Sequence, residues 1–194
     1  MQFITLSGFK GSGKSEASRY LQSKHGYIRL SFADTIKDIV SIYFGWDREL
    51  LSGDTVSSRK FRETVDTWWS EKLGMPDLTP RYVLQHWGTE LFRDNVNENV
   101  WVYSLLRNAE SLPPDSKIVI DDCRFSNEFS HLPNATKIWI QRLPYPSWYV
   151  SPHDTYPDVH RSEWEWLNQP FDHQVSNNDA VHDLHRALDN IIQK

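Results

Sequence analysis

The stretch Gly8-Phe9-Lys10-Gly11-Ser12-Gly13-Lys14-Ser15 spaces its residues as G-x-x-x-x-G-K-[ST]. That spacing does chemistry through the backbone. Glycines at 8, 11 and 13 let the chain turn with no side chain between its amides and an anion. The exposed N–H groups form a concave nest at a helix N-terminus, which is where negative charge is favoured. Lys14 can then reach the β and γ phosphates of a nucleoside triphosphate, and Ser15 can ligate Mg²⁺. Lys10, Ser12 and Glu16 fall in the same candidate ATP-binding stretch. The context agrees with the motif. "QFITL" reads as a β-strand, and "KSEASRYLQSK" as a helix with Ala17, Tyr20 and Leu21 on one face.

A phosphate-binding loop (P-loop) names the ligand class, not its fate. Switch proteins, motors and small kinases share it, and 194 residues leave little room for a motor module. Phosphoryl transfer needs cations on the moving charge and a metal-orienting carboxylate. "IVIDDCRF" ends an apolar run in two acids, Asp121 and Asp122. One of them is expected beside Ser15 and Mg²⁺. The other alternates to the opposite side of the strand and could cap the next segment. Arg81, Gln85, Thr89 and Arg93 lie about four apart, so one helix would present them on one face. Taken alone, that stripe reads first as a solvated helix surface. "SFAD" follows a strand end, where open α/β sheets bind ligands, and puts Ser31, Phe32 and Asp34 there with Lys37 one turn on. Arg142 and Arg161 bracket a segment with four prolines and no Lys or Arg between residues 143 and 160. His182 and His185 are three apart, but without further ligands they read as an exposed helix face.

The elements alternate. After the first strand and helix come a strand at "YIRLSF" and a helix over "ADTIKDIVSIYF", with Ile36, Ile39, Val40 and Tyr43 in register. "RKFRETVDTWWSEKL" predicts one helix. Thr79-Pro80 is an N-cap and first-turn pair for another, running to about Val96. A shorter helix fits 100–110. "SKIVID", "ATKIWIQ" and "HQVSN" read as strands, and "DAVHDLHRALDNIIQ" as a last helix with Val181, Leu184, Leu188 and Ile191 in register. Strands alternating with helices imply a mostly parallel sheet with helices on both faces.

At "LSFADTIKD", "TPRYVLQHWGTELFRD", "VWV", "DDCRFSNE", "HRSE" and "VSNNDAVHDL" the chain resembles the bacteriophage deoxynucleoside monophosphate kinases. The blocks R-x₃-Q-x₂-G-T-E-x₂-R and D-x-R-F-x-N-E carry more of that likeness than the P-loop does. The resemblance runs from residue 3 to about 188. It implies an α/β, P-loop NMP-kinase-like fold with a five-stranded parallel sheet, a helical NMP-binding region and a lid. In this numbering the core would be about 1–44, 98–142 and 168–194 of a single domain. The NMP-binding region would be about 45–97 and the lid about 143–163. The implied reaction moves the γ-phosphate of ATP to a deoxynucleoside 5′-monophosphate, with Mg²⁺, for phage DNA precursor synthesis. The resemblance puts Arg81 and Arg93 on the monophosphate and Gln85 on the base, with Thr89, Lys37 and Arg124 in support. It aligns Asp122 with the family's single Asp, makes Lys14, Arg142 and Arg161 catalytic cations, and puts Asn177 and Asn178 near the adenine. It assigns no derivable role to His160 and Glu163.

Composition narrows the partners. The formal net charge is −5, which argues against a generally basic, nucleic-acid-coating surface. No apolar run reaches membrane-spanning length, and "MQFITLSG" lacks the features of a signal peptide. The single cysteine, Cys123, cannot form an internal disulfide and fits a reducing, cytoplasmic setting. Nine tryptophans, many in polar contexts, suit a half-wet groove or lid as readily as a core. The residues leave open a homodimer, the base accepted, and two other readings. These are another small-metabolite kinase of the phosphomevalonate or dephospho-coenzyme A type, and a non-catalytic nucleotide-binding switch.

Overall fold

The computed structural model describes residues 1–193. They form two compact units, residues 1–32 with 105–194 (described to 193) and residues 33–104.

The first unit is built on β1 (Gln2–Ser7), β2 (Ile28–Leu30), β3 (Lys117–Ile120), β4 (Thr136–Gln141) and β5 (His173–Ser176). All four pairings are parallel, and the order is β2-β3-β1-β4-β5. This is the five-stranded parallel sheet expected from the alternation of elements and the resemblance. The period-2 alternation of β1 sends Ile4 and Leu6 to one face. There they meet Val119, Ile138, Ile140 and Val175 beneath α1 (Lys14–His25) and α8 (Val181–Ile192). Ala17 and Leu21 of α1 and Leu184 and Leu188 of α8 close this layer with no exposure. Val181 does not share it. It opens the first turn of α8 and stays 50% exposed. On the other face Trp139 packs against Trp166 and Phe171, with ring centroids 5.6 and 5.8 Å away. Phe129 of α7 (Ser126–Ser130) reaches Phe171 at 5.8 Å.

β2 is shorter than "YIRLSF" suggests. Its last residues leave the ladder because Asp122 accepts from the Ser31 hydroxyl at 2.6 Å and from the Phe32 N–H at 3.1 Å.

The second unit is helical, with α2 (Asp34–Phe44), α3 (Val56–Glu63), α4 (Thr67–Leu73), α5 (Pro80–His86) and the first residues of α6 (Val100–Glu110). Its core is aromatic. Phe44 stacks on Trp46 at 4.3 Å and touches Trp69 and Trp87 at 5.0 and 5.2 Å. Two of the indole donors find acceptors: Trp46 donates to Asp66 at 2.7 Å and Trp69 to the Phe44 carbonyl at 2.9 Å. Tyr43 lies 57% exposed, and the stripe α2 buries is rotated from the expected one, taking in Ile36, Lys37, Val40 and Phe44.

Two helices depart from expectation. The segment 59–73 is not one helix. The Thr64 hydroxyl donates back to the Lys60 carbonyl at 2.8 Å, and Asp66 caps the Trp69 N–H at 3.0 Å. Local side-chain bonds to backbone compete with the helical ladder, and here they divide it. The helix from Pro80 also changes pitch. The Thr79 hydroxyl caps it as expected, accepting from the Tyr82 N–H at 3.2 Å. After His86 the chain widens into a π-helical stretch over Trp87–Arg93. The Trp101 indole competes for the Gly88 carbonyl at 2.7 Å, and the Asp94 N–H bonds five residues back to Thr89. Insertion of a side-chain donor into the ladder is a recognised cause of such widening.

Candidate active site

Every strand of the first unit runs the same way, so their carboxyl ends share one edge. β1 is central and delivers the P-loop there. β3, on one side of it, delivers Asp121 and Asp122, and β2 beyond that delivers Ser31. β4, on the other side, delivers Arg142, and β5 delivers Asn177 and Asn178. Residues far apart in sequence thus line up as Ser31, Asp122, P-loop, Arg142 and Asn177 along the sheet.

The loop has the backbone its glycines permit. Gly8, Gly11 and Gly13 take φ of 153°, 83° and 107°. At Gly8 a Cβ would lie 2.4 Å from the Ile140 carbonyl oxygen, so glycine is needed there for space as well. Gly13 caps α1 in the left-handed region with no side-chain cap, which leaves the first turn's donors to the loop. The Lys14 ammonium donates to the Gly8 and Phe9 carbonyls at 2.6 and 2.9 Å. Burial, then the Arg124 charge, push its pKa from 10.5 down to about 8, against the pull of Glu163, Asp121 and Asp122. Ser15 sits half-buried at the start of α1, and Glu16 pairs with Arg19 and with His185 at 2.9 and 3.1 Å. Lys10 is exposed.

The two adjacent acids separate cleanly. Asp122 turns both oxygens to the end of β2, through Ser31 and Phe32. Asp121 is buried and accepts from Arg29 Nε at 2.9 Å. It therefore does not cap the next segment. That cap is Glu128, only 1% exposed, whose carboxylate accepts from the Arg124 and Phe125 N–H groups at 2.6 and 3.1 Å.

Arg124 pairs with Glu163 at 3.0 Å and donates to the Ser162 carbonyl at 3.3 Å. Burial works against its charge. The carboxylates of Glu163, Asp122 and Glu128 outweigh this and hold its pKa above the ordinary value. His160 and Glu163 thereby acquire local roles. The His160 Nδ1 caps the short turn Arg161–Glu163 through Ser162, with Nδ1 to Oγ at 2.8 Å, and Glu163 holds Arg124. The Arg161 guanidinium lies 5.4 Å over the Phe125 ring. Arg142 is exposed and lines a cleft of about 300 Å³ with Phe9, Lys10, Gly11, Ser12 and Tyr145.

One contributor was missed from the sequence. Phe9, inside the glycine-rich motif, is 4% exposed. Its ring lies 5.0–5.6 Å from those of Tyr145, Trp148, Tyr149 and Trp166. Phe9 packs the aromatic rings of the proline-rich segment onto the P-loop. The density of aromatics around 145–166 was the available signal.

Among the remaining candidates of the first unit, Asn177 is buried and its side chain donates to the Ser12 carbonyl at 2.8 Å. Asn178 accepts from the Leu143 N–H at 2.7 Å. His185 is not on an open face. It stacks on Tyr20 at 3.9 Å and bonds Glu16, whereas His182 is exposed. Phe32 is 4% exposed and Ser31 6%.

In the second unit Asp34 pairs with Arg48 at 3.1 Å and with the buried Lys37 at 3.6 Å. Arg81 pairs with Glu63 at 2.5 Å. Arg93, 5% exposed, donates to the Glu98 carbonyl at 3.1 Å, and Thr89 is buried with Gln85 half-buried. Thr89 and Arg93 both turn inward despite the change of helical pitch, while Leu91 and Asp94 face solvent.

No protein-family model matches the chain. A protein of Acanthamoeba polyphaga mimivirus described as "Putative deoxynucleotide monophosphate kinase" is 34% identical over 139 residues. The match takes in 66% of this chain, and the chain spans 66% of that relative's length. Among solved structures, TT1252 from Thermus thermophilus overlays with a TM-score of 0.50 at 18% identity, covering 99% of this chain and 96% of its own. Dephospho-CoA kinase from Campylobacter jejuni gives 0.49 at 13%, with the same coverage. At 18% identity the likeness to TT1252 is one of fold. No helix among the described residues is long and apolar enough to cross a membrane. With a P-loop at the centre of a parallel sheet and a viral kinase-like relative at 34% identity, the findings support a kinase family for this chain.

Proposed function

We propose that the chain is an ATP-dependent deoxynucleoside monophosphate kinase that supplies DNA precursors. The observation that carries this reading is the edge where the P-loop stands between Asp122 on the neighbouring strand and Arg142 on the other. Lys14 is within electrostatic reach of Arg124, Glu163, Asp121 and Asp122. The mimivirus relative supports the choice of acceptor.

In this reading the loop amides and Lys14 hold the β and γ phosphates. Lys14 exchanges the Gly8 and Phe9 carbonyls for phosphate oxygens. The cleft between Lys10 and Arg142 takes the donor nucleoside; its volume of about 300 Å³ suits a small-molecule site. Arg124 exchanges Glu163 for phosphoryl oxygens, and Arg161 and Arg142 neutralise charge as it moves. Ser31 and Phe32 in the first unit, and Asp34, Lys37, Arg81, Gln85, Thr89 and Arg93 in the second, are the acceptor candidates. Arg81 and Arg93 suit the monophosphate because a guanidinium fork matches its oxygens. Gln85 suits the base.

A hydroxyl and one carboxylate, Ser15 and Asp122, fit Mg²⁺, which keeps several waters and uses one or two carboxylates with substrate phosphates. Ser15 and Asp122 would hold the ion, which would supply neutralisation of phosphoryl charge. The protein's own work is alignment and electrostatics, since an acceptor phosphate is already an anion and needs no strong base.

The test is ADP release in Mg²⁺ and ATP with each dNMP and NMP in turn. ADP formation that depends on a dNMP and vanishes in Lys14→Ala is expected. ADP formation indifferent to any acceptor would overturn the kinase reading. Turnover with dephospho-CoA and with no dNMP would overturn the acceptor.

A further inference from the structure

Asn177 stands one residue beyond β5, and its N–H continues the sheet by donating to the Gln141 carbonyl at 2.7 Å. Its side chain is buried and leaves the sheet sideways, donating from Nδ2 to the Ser12 carbonyl at 2.8 Å. Ser12 is 165 residues away in the chain. The contact needs glycine at the next position. A Cβ on Gly13 would lie 2.3 Å from Asn177 Nδ2, whereas a Cβ on Gly11 would meet nothing within 4 Å. Gly11 is thus glycine for its backbone angle alone. Gly13 is glycine for its angle and to admit the asparagine.

The carbonyl that Asn177 holds belongs to the Ser12–Gly13 peptide. That unit is planar, and in the trans form its C=O and N–H point in opposite directions. Holding the Ser12 oxygen against the β5 end therefore aims the Gly13 N–H the opposite way, from the other edge of the same peptide plane.

We propose that Asn177 is a positioning residue for the phosphate loop, setting the Ser12–Gly13 peptide so that the Gly13 N–H faces bound polyphosphate. This rests on reading the loop as a polyphosphate site. It gives Asn177 a task different from contact with a nucleobase, since its buried Nδ2 is directed to the loop's own backbone. The side chain acts from behind the nest and touches no ligand atom. It aligns a donor in advance, so no reorganisation is needed when the anion arrives.

The decisive comparison is between ATP and inorganic tripolyphosphate, titrated calorimetrically into the wild-type chain and into Asn177→Asp. The aspartate has the same shape but sets an acceptor against the Ser12 carbonyl. Loss of a positioned donor predicts affinity weakened by about 10- to 100-fold for both ligands alike, from the worth of a hydrogen bond to a charged group. The acceptor KM should stay within about twofold of wild type, an order-of-magnitude bound for a site the loop does not touch. Asn177→Ser keeps a shorter neutral donor and should lose less; it also serves if the aspartate variant does not fold. A loss confined to ATP, with tripolyphosphate unaffected, would return Asn177 to the base and overturn the proposal. So would wild-type affinity in both variants. Failure of the wild-type chain to bind tripolyphosphate, or binding indifferent to Lys14→Ala, would instead remove the polyphosphate reading itself, and this inference with it.

Discussion

The P-loop of the first unit and the arginine-bearing helix of the second present charge by opposite means. The loop presents backbone. Its geometry is set by positive φ at Gly11 and Gly13 and by close approaches that exclude a Cβ at Gly8 and Gly13. The helix presents side chains. Arg81 is held by Glu63 and Arg93 by a carbonyl, across a stretch whose pitch changes midway. Donors that are backbone need particular residues at particular positions, because only glycine allows the path. Donors on long side chains can be supplied from many positions. The first kind of site leaves a sharp pattern in the sequence; the second leaves one that also reads as a solvated surface.

The comparison would break most visibly at Lys14, whose ammonium donates to the loop's Gly8 and Phe9 carbonyls. Lys14→Ala should cut kcat by about 10²–10³-fold or more, the scale of losing one preorganised charge-stabilising donor. Its melting temperature should hold, because burial disfavours the ammonium in the empty protein. Turnover within tenfold of wild type in the folded variant would mean that the loop does not do this chemistry.

Arg81→Ala and Arg93→Ala test the other side. Each should raise the acceptor KM by about 10- to 100-fold with the ATP KM little changed, from the worth of a charge-assisted hydrogen bond. Equal effects on both substrates would erase the distinction between the two regions.

The adjacent acids sharpen the comparison within the first unit. Asp122→Asn should lower kcat and shift the Mg²⁺ titration. Asp121→Asn should mainly lower stability, by about 1–3 kcal/mol, because it removes the carboxylate charge from the buried pairing with Arg29. Paired measurements of melting and kcat separate them, and an Asp121→Asn variant that melts normally but is inactive would reverse the assignment.

The smallest effect is a proton. With a pKa of about 8, Lys14 in the empty protein is about half charged at pH 8. Polyphosphate favours the charged form and raises that pKa. Binding at pH 8 should therefore take up as much as about half a proton, and affinity should fall as pH rises above 8. Calorimetry in two buffers of different ionisation heat reads the uptake, which Lys14→Arg should abolish. The same shift makes the empty chain gain stability from this group as pH rises from about 8 towards 10.5, because the unfolded chain holds that proton longer.

What the sequence determined by itself was local. Glycine spacing marked the phosphate loop, period-2 and helical patterns marked the strands and most helices, and Thr79-Pro80 marked a helix start. These depend on backbone angles and on neighbours within a few residues, so they survive without knowledge of the fold. Tertiary structure decided the partners. It gave Asp122 to Ser31 and Asp121 to Arg29, 91 and 92 residues apart, where residue spacing alone offered two adjacent acids and only the family resemblance chose between them. It closed Arg124 on Glu163 and Asn177 on Ser12. It widened one expected helix where Trp101 takes a carbonyl. Each of these follows from which strand ends lie side by side, or from a donor brought in by packing. A hydrogen bond is chosen by distance in space, and the spacing of residues along a chain does not contain that distance until the chain has folded.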